Sequence, residues 1–83
     1  SLSVVVLPVP LPQAGIAAIE DGIADEVEAR FGITVGVSVI AVCESDVYSV
    51  DSVLLSLPAE ADEAAVCDYV RYISGCGRVE VTR

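Results

Sequence analysis

The fold is decided by residues 33–43, Ile33-Thr34-Val35-Gly36-Val37-Ser38-Val39-Ile40-Ala41-Val42-Cys43, whose alternation predicts a β-strand. The odd-numbered positions are all apolar, whereas the even-numbered ones begin with small or polar residues. Because successive side chains of a strand point to opposite faces, the odd set is predicted to face the helices. Ile40 and Val42 belong to the even set, so the second face of this strand is predicted to be partly apolar.

A strand and a helix precede this segment. Residues 2–7 are β-branched, apolar on both faces and followed by prolines, which is typical of a central strand. A helix is predicted over residues 13–31, ending at Gly32, because one apolar stripe recurs at helical spacing. The stripe consists of Ile16, Ile19, Ile23, Val27 and Phe31, and the acidic residues Asp21, Asp25 and Glu28 lie opposite.

Two strands and a second helix follow. A polar turn over residues 44–49 leads to a third strand over residues 50–57. The second helix is predicted to open at Pro58 and to stop at the turn 74–77. Residues 78–82 alternate valines with charged residues, as an edge strand does. The third strand places Val53, Leu55 and Leu57 on one face and Ser52, Leu54 and Ser56 on the other, and the second helix buries Val66, Tyr69, Val70 and Ile73.

The order of elements is therefore βαββαβ within one domain, residues 1–83. This order predicts a ferredoxin-like α+β fold. Such a fold is a two-layer sandwich in which two helices cover one face of an antiparallel four-stranded sheet. Its strand order, 4-1-3-2, places strands one and three in the centre.

The charge balance excludes two classes of partner. Thirteen acidic residues face four arginines, with no lysine and no histidine, so the net charge is −9. Phosphate backbones and anionic lipid surfaces both require clustered basic residues, so we expect neither nucleic acid nor membrane as a partner. No apolar run approaches the length of a membrane span, and no basic residues precede Val4 as they would in a signal peptide. Three cysteines indicate reduced thiols, so we expect a soluble cytoplasmic protein.

The absence of lysine beside abundant carboxylates resembles the proteins of salt-accumulating halophilic archaea. This resemblance implies a surface adapted to molar salt, where the Debye length of about 3 Å screens repulsion between carboxylates. An acidic protein of an ordinary organism is the alternative reading of the same composition.

Catalytic residue types are scarce. Without histidine or lysine there is no Ser-His-Asp triad and no lysine nucleophile, and no metal or nucleotide motif is present, so no cofactor is expected and the sequence favours a protein that is not an enzyme. A thiol remains the alternative: Cys76 lies between two glycines, and Cys67 lies at the margin of the second helix's apolar stripe. Cys43 is expected to be a small buried hydrophobic residue.

The carboxylates Glu44, Asp46 and Asp51 surround the turn between strands two and three. Their spacing matches no calcium loop, so a solvated loop is expected and a weak cation site is the alternative.

The open face of the sheet is the main functional hypothesis. Helices on one face leave the other face uncovered. An exposed apolar patch on that face indicates self-association, either face to face or through the edge of strand two, unless a further segment covers it. We therefore expect a non-catalytic regulatory or interaction module that forms a homodimer, with a protein partner, a small-molecule sensor or a thiol-dependent redox protein as alternatives. The expected contact residues are Ile40, Val42, Leu54, Tyr48, Val5 and Leu7.

The C-terminal part resembles the ACT and Lrp/AsnC-type regulatory domains. The resemblance rests on Ser52-Val53-Leu54-Leu55-Ser56-Leu57-Pro58, on the helix that ends Ile73-Ser74-Gly75, and on Val79-Glu80-Val81. It implies a ferredoxin-like domain that dimerises through its sheet and binds amino acids or other small ligands at the interface. The turn Glu44-Ser45-Asp46 differs from the glycine-rich ligand turn of the Lrp/AsnC type.

The N-terminal third is similar to the start of archaemetzincin proteases. The similar stretches are Val4-Val5-Val6-Leu7-Pro8-Val9 and Ala29-Arg30-Phe31-Gly32. The zinc motif of that family needs histidines, which this chain lacks, so the resemblance implies no protease activity here.

Overall fold

The computed structural model describes the backbone of residues 3–4, 13–44 and 47–82, and the side chains of residues 15–42 and 49–82. The elements follow the predicted order βαββαβ and form an α+β fold with two helices. They are β1 (Ser3–Val4), α1 (Gln13–Phe31), β2 (Gly36–Glu44), β3 (Val47–Ser56), α2 (Glu63–Ser74) and β4 (Val79–Val81).

Strand β3 lies at the centre of the described sheet. β2 pairs with it in antiparallel fashion along its whole length, from Gly36 opposite Ser56 to Glu44 opposite Val47. On the other side of β3, β1 pairs antiparallel with Ser49 and Tyr48, whereas β4 pairs in parallel with residues 53–55. The described sheet is therefore mixed. The prediction of a wholly antiparallel sheet in the order 4-1-3-2 is wrong in one respect, because β4 pairs in parallel with β3.

The parallel pair has a simple cause. The segment from β3 through α2 to β4 is a strand–helix–strand crossover, which joins parallel strands. β4 runs beside the second half of the ten-residue β3, and the described part of β1 runs beside the first half. The remainder of the predicted first strand, including Val5 and Leu7, lies outside the described residues.

Helix α1 has the predicted bounds and the predicted buried face. Ile23 and Val27 are buried, and the other three stripe residues pack at the margin of the same core. The acidic residues on the opposite side are exposed. The helix ends where Gly32 adopts a φ of 70° and its N–H donates to the Glu28 carbonyl at 2.8 Å. Glycine enters this left-handed conformation without a steric cost.

Helix α2 begins five residues later than predicted. Pro58 starts a turn in which its carbonyl accepts the Ala61 N–H at 3.0 Å. The helix itself starts after Asp62, whose carboxylate accepts the Ala65 N–H at 3.2 Å. A carboxylate at this capping position satisfies a backbone donor that has no partner within the helix, so it fixes the start more strongly than the proline does.

The core lies between the helices and one face of the sheet. Its fully buried apolar side chains come from both layers: Val27, Val53, Leu55, Val66 and Val70. The helices also contact each other through Tyr69, whose ring meets the Phe31 ring edge-on at 5.7 Å and whose hydroxyl donates to Glu26 at 3.1 Å. In the part of the chain that the structure describes, neither helix is both long and apolar enough to cross a membrane.

The connection between β2 and β3 is shorter than predicted. β2 extends to Glu44 and β3 starts at Val47, so only residues 45 and 46, which lie outside the described part, separate them. The ladder contains a bulge, because Ile40 pairs with Ser52 and Ala41 pairs with Val50. Asp51 is the extra residue, and it lets both Val50 and Val53 turn toward the core.

We predict that Asp62→Ala lowers the free energy of unfolding by about 1 kcal/mol, because the Ala65 N–H loses its acceptor. The measurement is urea unfolding at a constant molar concentration of potassium chloride. Glu60→Ala is the control, since it removes the same charge from the exposed turn before the helix. Equal losses for both variants would mean that the helix responds to charge rather than to the cap.

Candidate functional site

The face of the sheet that points away from the helices carries two exposed aliphatic side chains. Ile40 is 46% exposed and Val42 is 43% exposed, whereas Val39, which precedes Ile40 on the opposite face, is buried and Ala41 between them is half-buried. This alternation confirms the predicted faces of β2. Leu54, on β3, lies half-buried on the same face and opposite Ser38.

These three side chains form what we call the open-face strip: Ile40, Val42 and Leu54. Ile40 lies opposite Ser52 and Val42 lies opposite Ser49. Leu54 is the diagonal neighbour of Ile40, within reach of a long side chain. The strip is thus continuous across two strands and has serines beside it.

Charge is sparse around the strip. On β2 and β3, the face positions whose side chains the structure describes carry no ionisable group: Gly36, Ser38, Ile40, Val42, Ser49, Ser52, Leu54 and Ser56. The exposed Glu80 lies beside Leu54 on β4, and the exposed bulge residue Asp51, next to Ser52, forms an ion pair with Arg78. In a chain of net charge −9, an uncharged strip bordered by two carboxylates, one of them paired with an arginine, is a local exception.

One residue of this face is less accessible than expected. Ser52 is only 4% exposed although it belongs to the uncovered face. It lies on the central strand, between Ile40 opposite and Leu54 two residues along. Its small side chain therefore lies below the two larger aliphatic groups and adds little surface of its own.

The side chains of the other predicted contact residues, Val5, Leu7 and Tyr48, lie outside the described part of the structure. Val5 and Leu7 lie outside the described residues. The backbone of Tyr48 pairs with Cys43 and with Val4, but its side chain is outside the described set. The described part of the predicted surface is the open-face strip itself.

A contact that the sequence pattern did not reveal closes part of the β2 edge. The Val39 N–H donates to the Glu20 carboxylate of α1 at 2.9 Å. Glu20 is partly buried, and nineteen positions separate it from its partner. A backbone donor at a sheet edge is thereby satisfied within the chain rather than by another strand.

Cys76 is buried, and its thiol lies against two backbone carbonyls. Its Sγ lies 3.4 Å from the Asp51 carbonyl oxygen and 3.6 Å from the Arg78 carbonyl oxygen. Its N–H donates to the Ser74 hydroxyl at 3.1 Å, and that hydroxyl donates to the Val70 carbonyl at 2.6 Å. The thiol is therefore enclosed by backbone groups, and Cys76 has only 7% of its surface exposed.

Cys67 is also buried, so the prediction of a marginal position underestimates its burial. It lines a groove of about 580 Å³ between α2 and β4. Burial raises the pKa of the Cys67 thiol, and the nearby Arg71 only partly opposes that shift. The thiol is therefore protonated at neutral pH, which is the unreactive form.

Of the three carboxylates near the β2–β3 turn, Asp51 is the one whose side chain the structure describes. Asp51 makes an ion pair with Arg78 at 3.6 Å and is the bulge residue of β3. The side chains of Glu44 and Asp46 are outside the described set. Among the described residues, no group of three or more potential metal ligands is found.

The sequence comparisons assign no family. No protein-family model matches the chain, and no curated protein matches it. The described geometry, above all the open-face strip, is thus the basis for a functional proposal.

We predict that Cys67 and Cys76 react slowly with a thiol reagent in the folded protein at pH 7.5, at least about tenfold slower than in urea, because both are buried. A Cys43→Ser background isolates the two thiols, and absorbance after addition of Ellman's reagent gives the rates. Cys67→Ala and Cys76→Ala assign each phase. One equivalent that reacts rapidly in the folded state would restore the redox hypothesis.

Proposed function

We propose that this chain is a non-catalytic interaction or regulatory module that forms a homodimer by packing the open face of its sheet against that of a second copy. The observation that carries the proposal is the exposure of Ile40 and Val42 side by side in a strip that itself carries no charge. Adjacent exposed aliphatic groups on a sheet are typical of a surface that is covered in use.

The charge distribution supports a second copy as the occupant. Two chains of net charge −9 repel each other at most orientations, whereas an approach through the open-face strip brings together side chains that carry no charge. Glu80 and the Arg78-paired Asp51 would lie at the rim, where water and salt screen them. If the protein comes from a salt-accumulating archaeon, as its composition suggests, molar salt weakens the remaining repulsion further.

The expected dimer is modest in affinity. A stable interface buries roughly 600–1,000 Å² on each partner, which three side chains do not supply. The surrounding serines, together with the predicted contacts Tyr48, Val5 and Leu7, would have to join it. We therefore propose an association that depends on protein concentration and strengthens with salt.

Packing through the face is favoured over pairing through the edge of β2. Both arrangements would explain why this strand is so apolar. The Glu20 carboxylate already accepts the Val39 N–H at that edge. A second strand would have to displace it, whereas face-to-face packing leaves this hydrogen bond intact.

We predict that native mass depends on salt. In molar potassium chloride the chain should have twice its formula mass of 8.6 kDa, and it should dissociate or unfold when the salt is removed. Light scattering on a sizing column measures the mass, and circular dichroism separates dissociation from unfolding. A folded monomer at both salt concentrations would contradict the proposal.

We predict that Leu54→Asp converts the dimer to a monomer in molar salt, because a carboxylate in the middle of the apolar contact loses its hydration on burial. Ile40→Asp is the second variant, since Ile40 is more exposed and its replacement disturbs the fold less. Ala17→Asp adds the same charge to the exposed side of α1 and serves as the control. An unchanged mass in both folded sheet variants would contradict face-to-face association.

A further inference from the structure

We propose that the free edge of β2 is a latent self-pairing site for the β2 strand of a second copy, and that Glu20 guards it. On one side β2 pairs with β3, and the described residues place no strand on its other side. The proposal concerns the edge of the sheet, so it is independent of the face-to-face dimer.

The direction of the backbone groups follows from one hydrogen bond. In an antiparallel ladder, every second residue bonds to the partner strand and the residues between point to the opposite edge. The Val39 N–H bonds to Glu20 rather than to β3, so Val39 is one of the edge-facing residues. By the same alternation, Val37 and Ala41 also direct their N–H and C=O groups to this edge.

The strand itself identifies the occupant. Residues 36–43, Gly36-Val37-Ser38-Val39-Ile40-Ala41-Val42-Cys43, contain no charge and no proline and are rich in β-branched residues. This composition is the signature of segments that pair with identical copies. Two such strands can meet in antiparallel fashion about a twofold axis without bringing carboxylates of the strands together.

Glu20 is placed to prevent that pairing. Its carboxylate occupies the Val39 donor in the middle of the segment and brings a negative charge to an otherwise uncharged edge. A second strand must break this hydrogen bond and approach the charge. Proteins protect exposed edge strands with charged groups in this way, and here the guard comes from the helix packed against the strand.

The test removes the guard in a Leu54→Asp background, which disables the face contact without adding charge to β2. With Glu20→Ala we expect a dimer that forms through the β2 edge, measured as the native mass by light scattering on a sizing column. Glu20→Gln should stay monomeric, because its amide oxygen still accepts the Val39 N–H. Glu28→Ala, which removes a carboxylate from an exposed position of the same helix, should also stay monomeric. A monomeric Glu20→Ala protein, or equal association of Glu28→Ala, would overturn the proposal.

Hydrogen exchange at low protein concentration gives a local readout. In Glu20→Ala the Val39 amide should exchange faster, while the amides of Val27 and Val66 in the core keep their protection. If Glu20→Ala unfolds, Glu20→Asp is the milder variant, because it keeps the charge and shortens the reach to Val39. An unchanged exchange rate of the Val39 amide in the folded variant would overturn the proposal that Glu20 protects this edge.

Val42→Lys provides the rescue. Val42 lies opposite Ser49, away from the substituted position 54, so a lysine there charges β2 itself and should restore the monomer of the Glu20→Ala protein. Failure of this rescue would mean that the dimer forms elsewhere and would overturn the β2 edge as its site. The face-to-face dimer is tested separately, by the native mass of the Leu54→Asp and Ile40→Asp variants that retain Glu20.

Discussion

Backbone pairing along both sides of β3 is the constraint on which the other described strands depend. β2 takes one side for its full length, and β1 and β4 share the other. Val53 and Leu55 of this strand are fully buried under the helices. Because β3 is fixed on both sides and on one face, its remaining face is the natural position for an accessible surface, and Leu54 occupies it.

Features set by local spacing could be predicted from the sequence, whereas strand neighbours could not. The bounds of α1 follow from its apolar period and from Gly32, both of which act within a few residues. The start of α2 was misplaced because Pro58 and Asp62 are both start signals and only geometry decides between them. Periodicity also assigns the faces of β2 correctly, but it carries no information about which strand lies beside β4.

In the candidate site, too, local features could be predicted from the sequence, whereas contacts between distant residues could not. Alternation alone identifies Ile40 and Val42 as side chains of the uncovered face, because it depends only on the strand itself. The Glu20 contact with Val39 depends on how a helix settles on a strand nineteen positions away, and no spacing rule encodes it. The contact of the Cys76 thiol with the Asp51 carbonyl likewise joins distant positions, and Asp51 lies at a bulge that forms only when β2 and β3 are paired.

The close succession of β2 and β3 along the chain has a consequence for protein synthesis. Only residues 45 and 46 separate the two strands, so β3 leaves the ribosome directly after β2. At about 5–20 residues per second, the ten residues of β3 follow within about half a second to two seconds. Residues 36–43 thus remain unpaired only briefly during synthesis, and Glu20, which lies earlier in the chain, has already been synthesised. Chain order itself limits the exposure of this segment to neighbouring nascent chains.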